Sequence, residues 1–132
     1  MDREWNISIN LEVKKHEIPD LRQAIGWERR DSDYPALFEH CLFWAGLRDI
    51  DGNLIAFGCM VGPGMEHGYL EDVIVHPSYQ RKGIGKSLVK KIIQEADDRG
   101  ISIITVSFAE ANLRFYEGCG FTPCHGGVLR KK

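Results

Sequence analysis

The stretch Val73-Ile74-Val75-His76-Pro77-Ser78-Tyr79-Gln80-Arg81-Lys82-Gly83-Ile84-Gly85 joins two periodicities. Its first residues close a run, Tyr69 to Val75, that is rich in branched side chains and reads as a strand. After it, Ile84, Leu88, Ile92 and Ala96 recur at every fourth position, joined by Val89 and Ile93, and Gly100 stands where a helix stops. The spacing predicts a helix over Gly83 to Arg99. The turn between strand and helix carries Gly83 and Gly85. The first turn of a helix leaves its N–H groups unpaired, and the helix dipole adds partial positive charge there. Glycines let a ligand approach the backbone without a Cβ in the way. The combination is a phosphate or pyrophosphate cradle, to which Arg81, Lys82 and Lys86 add charge. The pattern is not the dinucleotide fingerprint, which needs GxGxxG directly after a parallel strand, and Gly85-Lys86-Ser87 matches only the tail of a Walker loop. Taken alone, the turn is also compatible with a glycine-rich helix start that binds nothing.

Working outward, Leu42 to Leu47 and Leu54 to Val61 read as strands joined by a tight turn at Asp51-Gly52. With Tyr69 to Val75 they form an antiparallel meander. Toward the N-terminus, residues 6–13 alternate strictly, so Ile7, Ile9, Leu11 and Val13 are expected on one face of a half-buried strand. Ile18, Leu21 and Ile25 follow at helical spacing, with Pro19 in the first turn and Gly26 as the stop. Ser32 and Asp33 suit the start of a second short helix, with Pro35 early in it. Toward the C-terminus, Ile101 to Val106 is an almost unbroken apolar strand, the pattern expected when both faces are covered. Asn112 to Tyr116 belongs to a last short helix, ended by Gly118 and Gly120, and Phe121 and Val128-Leu129 are candidate final strands. The expected order is β-α-α-β-β-β-α-β-α-β, with one more strand if Val128-Leu129 forms. That is an α/β (α+β) class with a mixed, mostly antiparallel sheet flanked by helices.

The 132 residues suit one domain, 1–132, with no linker, repeat or low-complexity tract. A net charge of −2 gives no bulk basic field for nucleic acid, and the local basic cluster suits a small anion, although Lys90 and Lys91 read as a solvated helix face. Met1 to Asn6 lacks the apolar core of a signal peptide, and no apolar run is long enough to span a membrane. A cytoplasmic location, with no membrane and no nucleic-acid partner, is expected. The four cysteines, Cys41, Cys59, Cys119 and Cys124, form no CxxC pair, so free thiols and no metal site are expected.

Two stretches resemble the GCN5-related N-acetyltransferase (GNAT) superfamily: the strand, proline turn and Gln80-Arg81-Lys82-Gly83-Ile84-Gly85, and Asn112-Leu113-Arg114-Phe115-Tyr116-Glu117-Gly118-Cys119-Gly120-Phe121. The resemblance spans roughly residues 42 to 121 and implies a GNAT fold of six to seven strands and about four helices. It implies acetyl-CoA as cofactor. The N–H groups of Arg81 to Lys86 would hold its pyrophosphate, with Gln80 and Ser87 in the same motif, and the backbone of Val73, Ile74 and Val75 would pair with its pantetheine. Val73 and Val75 are expected on one strand face and Ile74 on the other, with Glu71 sharing the face of Val73 and Val75. Asn112 and Phe115 fall in the cofactor region, Asn112 being equally suited to an N-cap. Tyr116 matches the family's general acid, with core packing beside Phe115 as the plainer reading. Glu71 is the first candidate for the base that takes the amine proton and Asp72 the second. The sequence Glu71-Asp72-Val73 is also similar to the glucosamine-phosphate acetyltransferases of the superfamily. Trp27, Tyr34, Glu71 and Asp72 are candidate contacts for a small-molecule amine. The competing readings are a CoA-binding module without turnover and a protein or peptide amine acetyltransferase. Gly126 to Leu129 could pair as an edge strand with a second copy, and many members of the family dimerise, so a homodimer is expected.

Overall fold

In the computed structural model, which describes residues 5–131, one five-stranded sheet runs in the order β1-β2-β3-β4-β5. The strands are β1 (Ser8–Ile9), β2 (Phe43–Arg48), β3 (Leu54–Val61), β4 (His67–Val75) and β5 (Ile103–Val106). The helices are α1 (Glu17–Ala24), α2 (Tyr34–His40), α3 (Ile84–Asp98) and α4 (Leu113–Gly118). Neighbouring strands are antiparallel except for β4 and β5, which are parallel and joined through α3. This is the meander and crossover read from the sequence.

The sheet separates two apolar clusters. On one face α3 contributes Ile84, Leu88, Val89, Ile92 and Ala96, packed on Phe43, Ala45 and Met60. On the other, α1 and α2 bring Ile18, Leu21 and Tyr34 onto Phe57, Cys59 and Ile74. Removing these side chains from water supplies the main driving force for the two-layer packing.

Three expectations are corrected. The strand predicted over 6–13 is cut to Ser8–Ile9, because Asn10 adopts φ 54°. Its Oδ1 accepts from Trp44 N–H at 3.1 Å while its own N–H donates to Trp44 O at 2.8 Å. The left-handed residue turns the chain over. Ile7 and Ile9 join the α3 cluster, and Leu11 and Val13 join the α1/α2 cluster, so the four do not share one face. Second, β5 is not covered on both sides: Ile103 is 49% exposed. Third, neither Phe121 nor Val128-Leu129 forms a strand, and among the described residues the sheet has five strands, not six or seven. Val128 and Leu129 are exposed, and the outer edge of β5 pairs with no strand among the described residues.

Candidate active site

Strand β4 pairs with β5 only from His67↔Ile103 to Leu70↔Val106. Beyond Leu70 the two strands part, and Glu71 to Val75 pair only with β3. The N–H of His76 donates to Ile55 O at 2.8 Å, so by alternation Ile74 also faces β3 and the backbone groups of Val73 and Val75 face the gap. The Val75 carbonyl already accepts from Gln80 Nε2 at 3.0 Å. Both groups of Val73 and the N–H of Val75 are left toward the gap.

A cleft of about 500 Å3 opens there, within the range of ligand pockets. Its lining brings together Val73, Val75, Gln80, Arg81, Gly83, Ile84, Gly85 and Lys86 from one motif with Asn112, Phe115 and Tyr116 from the other, and adds Tyr79. Ile74, Lys82 and Ser87 do not line it. Ile74 is 1% exposed in the α1/α2 cluster, and Lys82 Nζ lies 5.6 Å from the centre of the Tyr79 ring. The turn is held from both sides. Trp5 Nε1 donates to Lys82 O at 3.0 Å, and Arg81 and Gly83 take φ 64° and 84°. Gly83 caps α3, and the helix's hydrogen-bond ladder begins with Ser87 N–H to Gly83 O at 3.1 Å. The N–H groups of Ile84, Gly85 and Lys86 precede that bond. A Cβ built on Gly83 meets nothing within 4 Å, whereas one on Gly85 meets Phe115 Cε1 and Cζ at 3.2 Å. Gly83 therefore keeps space open, and Gly85 lets an aromatic ring rest on the helix start. This cradle fits a pyrophosphate, and the free edge beside it fits a chain of amides.

Asn112 occupies the N-cap position of α4 but makes no capping bond with its side chain, which lines the cleft. Tyr116 is 7% exposed, stacked on Phe108 at 4.7 Å and met edge-on by Phe115 and Phe121. Burial pushes its phenol up to about 12, so it holds its proton at neutral pH. Phe121, expected as a strand residue, is instead one wall of the Tyr116 ring's cage.

Glu71 lies elsewhere than the alternation implied, while Asp72 keeps to the face of Ile74. Between Phe57↔Ile74 and Cys59↔Glu71, β3 advances two residues and β4 three. The extra residue is a bulge in which Asp72 takes φ 53°. Glu71 consequently sits opposite Cys59 on the α1/α2 face, whereas Val73 and Val75 pack on the α3 face. Partial burial raises the Glu71 pKa, the adjacent Asp72 adds to the rise, and Arg30 opposes it. Asp72 turns to the same face. Arg22 Nη1 meets its Oδ1 at 2.9 Å, and the Tyr34 hydroxyl donates to its Oδ2 at 2.6 Å. Tyr34 is 2% exposed, so its expected contact with an acceptor is corrected to an internal brace. Trp27 remains exposed, with the Arg22 guanidinium 5.2 Å from its ring centre. Beside Glu71 on its own strand face, Tyr69 is exposed and stacked on His67, whose Nε2 lies 2.8 Å from Thr105 Oγ1. His76 is not placed as a base; its Nδ1 accepts from Ser78 N–H at 3.1 Å.

Arg22 escaped the sequence reading, although a signal was present. It falls at i+4 from Ile18, on the stripe that α1 buries, where a lone arginine demands a partner.

The acetyltransferase (GNAT) family model matches residues 10–121. The chain belongs to the GNAT acetyltransferase family. It is an acetyl-transferring enzyme with the fold the two motifs implied. The N-acetyltransferase ycf52 of Pyropia yezoensis is 28% identical over 127 residues, 92% of this chain and 72% of that protein. The glucosamine 6-phosphate N-acetyltransferase of Schizosaccharomyces pombe is 38% identical over 65 residues, 49% of this chain and 57% of that protein. A GNAT-family acetyltransferase of Streptococcus pneumoniae superposes with a TM-score of 0.79 at 29% identity, covering 96% of this chain and 98% of its own. Among the described residues no helix is long and apolar enough to cross a membrane.

Proposed function

We propose that this GNAT enzyme acetylates the primary amine of a small molecule by direct attack, with acetyl-CoA as donor, Glu71 as base and Tyr116 as acid. The observation that carries the reading is the cleft at the β4/β5 gap. It joins an anion cradle, a free strand edge and a protonated phenol on one side of the sheet; Glu71, whose pKa is raised, does not line it but stands on the other face, next to the last β4–β5 pair. When bound, acetyl-CoA supplies a thioester whose carbonyl carbon accepts the amine. The N–H groups at the start of α3 hold the pyrophosphate, aided by Arg81 and Lys86. Val73 aligns the pantetheine through its backbone, and the Asn112 side chain supplies a further hydrogen bond. Glu71 takes the proton that the amine must lose, since an ammonium has no lone pair. Its raised pKa brings it nearer neutrality and makes it a stronger base. Tyr116 gives its proton to the departing thiolate, and a phenol kept protonated by burial suits that task.

A small acceptor is supported by the likeness to the glucosamine 6-phosphate enzyme, whose acceptor by name is an amino sugar. Trp27 and Tyr69, exposed on the Glu71 side, offer apolar surface to it. We also propose a cytoplasmic homodimer, with the open outer edge of β5 pairing Gly126 to Leu129 of a second copy. Sedimentation giving a monomer mass at working concentration contradicts that part. The activity itself is tested by thiol release from acetyl-CoA over a panel of amino sugars, arylalkylamines, polyamines and a lysine peptide. Acetyl-CoA binding with turnover of one small amine is expected. Binding without release from any amine means a CoA-binding module instead, and release with the peptide alone means a protein acetyltransferase.

A further inference from the structure

Two short helices converge on the bulge in β4. Asp72 stands in the left-handed region, which disfavours residues with a Cβ. Each oxygen of its carboxylate is met from a different helix, Oδ1 by Arg22 of α1 and Oδ2 by the Tyr34 hydroxyl of α2. Arg22 is itself fixed: Nε donates to Glu28 O at 2.6 Å, Nη1 to Tyr34 Oη at 3.3 Å, and its side chain is 7% exposed. None of the three residues lines the cofactor cleft. An apolar side chain at position 22 would pack the helix as well, because a buried ion pair is seldom better for stability than apolar groups of the same volume. The pair therefore calls for another reason, and its neighbour in the bulge is Glu71.

We infer that Arg22 is a positioning residue for acetyl transfer: together with Tyr34 it clamps Asp72 in the conformation that keeps Glu71 on the acceptor face, and its charge offsets that of Asp72 beside Glu71. The inference rests on the reading of Glu71 as base. Without the clamp, the bulge can relax toward regular alternation, which would turn Glu71 to the opposite face, since a one-residue change of register reverses a strand's faces. The groups that set the charge around Glu71 are few. Asp72, Tyr69 and His67 share its strand, Cys59 lies across on β3, and Arg30 comes from the α1–α2 connection. Arg22 and Tyr34 stand behind Asp72. The paired strand β5, Ile103 to Val106, contributes no ionisable side chain.

The test follows the Glu71 carboxyl carbon by NMR titration, assigned with Glu71→Gln, in the full chain and in Arg22→Met, Asp72→Asn and Tyr34→Phe. Acetyl-CoA affinity by calorimetry and the pH profile of kcat/KM, with the amine turned over best in the panel, accompany it. Arg22→Met is expected to move the Glu71 titration and the acidic limb of the profile up by about one unit. Asp72→Asn is expected to move both down, and Tyr34→Phe to move both up by less. Acetyl-CoA affinity is expected to stay at the wild-type value in all three, while kcat in Arg22→Met falls by about tenfold or more. The readout that a merely structural ion pair does not produce is the fall in kcat in Arg22→Met at unchanged acetyl-CoA affinity, together with these shifts. A titration and limb unmoved in Arg22→Met and Asp72→Asn overturn the inference, as does a loss of rate by one factor at every pH. If Arg22→Met does not fold, Asp72→Asn and Tyr34→Phe decide by the same readout. An acidic limb that stays at its wild-type pH in Glu71→Gln overturns the base reading and this inference with it, since the only limb left in that variant should be the amine's own at higher pH. A limb lost in Glu71→Gln yet unmoved in the other variants overturns this inference alone.

Discussion

The two ends of the β4 segment Glu71 to Val75 are built by different means. At Val73 to Val75 the chain works through its backbone, with an open strand edge, a glycine-held turn and the start of α3. At Glu71 and Asp72 it works through side chains drawn from α1, α2 and β3. A backbone site tolerates many side chains as long as the glycine and the free edge survive. A side-chain site fails one residue at a time. The half proposed to bind acetyl-CoA is therefore expected to respond to changes of backbone conformation, and the half proposed to meet the acceptor to changes of charge.

The largest effect should come from Tyr116, which lines the cleft. Tyr116→Phe keeps the ring contacts with Phe108, Phe115 and Phe121 and removes only the hydroxyl. Turnover is expected to fall by about 10²–10⁴, the range for general-acid catalysis, with acetyl-CoA affinity unchanged by calorimetry. A fully active variant would make the tyrosine a core residue and blur the division. Next is Gly83→Val, which forces a β-branched residue into φ 84° and fills the space that no atom approaches within 4 Å. Acetyl-CoA should bind about 10–100-fold more weakly, corresponding to strain of about 1–3 kcal/mol. Wild-type affinity in this variant would remove the cradle from the account.

Two carboxylates then sharpen the contrast between scaffold and site. Glu17 is held by Arg48 through two bonds, 2.6 and 2.8 Å, and the hydrogen bonds from Arg48 lower its pKa below 4.5. Such a group adds stability that is present above its unfolded pKa and is lost as pH falls through the lower folded value. Glu17→Gln should cost about 1 kcal/mol at neutral pH and nothing once pH is below that folded value, as read by urea unfolding at several pH values. Glu71 has the opposite sign. Its folded pKa is raised, so its charge costs stability above that value, and the cost vanishes as pH falls through 4.5. Glu71→Gln should raise the melting temperature slightly at pH 7 to 8, with the gain fading in acid.

What the sequence revealed follows the same division. The cofactor half was legible because its parts are contiguous: a strand, a glycine turn and a helix can be read from Val73 to Asp98 without any distant contact. The acceptor half was not. The reversals at Asn10 and Asp72 are single non-glycine residues with positive φ, and each is fixed by partners far along the chain, Trp44 in one case and Arg22 and Tyr34 in the other. Strict period-two alternation holds only without a bulge or a left-handed residue, and it sets Glu71 with Val73 and Leu11 with Ile9. The hints were side chains that broke their own pattern. Two consecutive acids in an apolar strand cannot both face outward without a bulge, and an arginine on the buried stripe of α1 needs an acid to meet. The missing final strands have a plainer cause: Gly126 and Gly127 precede Val128 and Leu129, too short an apolar pair to hold a strand against solvent.

The claim on which the account turns is that Glu71, on the acceptor side of the sheet, removes a proton while the backbone cradle on the other side holds the cofactor. The direct measurement is the rate of thiol release against pH for the wild type and Glu71→Gln, with the best amine of the panel and saturating acetyl-CoA. A base matters most where the amine is protonated and the base itself is not, so the variant should lag most just above the Glu71 titration and approach the wild type at high pH, where free amine is abundant. A deficit of one constant factor across the whole range would contradict the account and make Glu71 a residue that orients the acceptor without taking its proton.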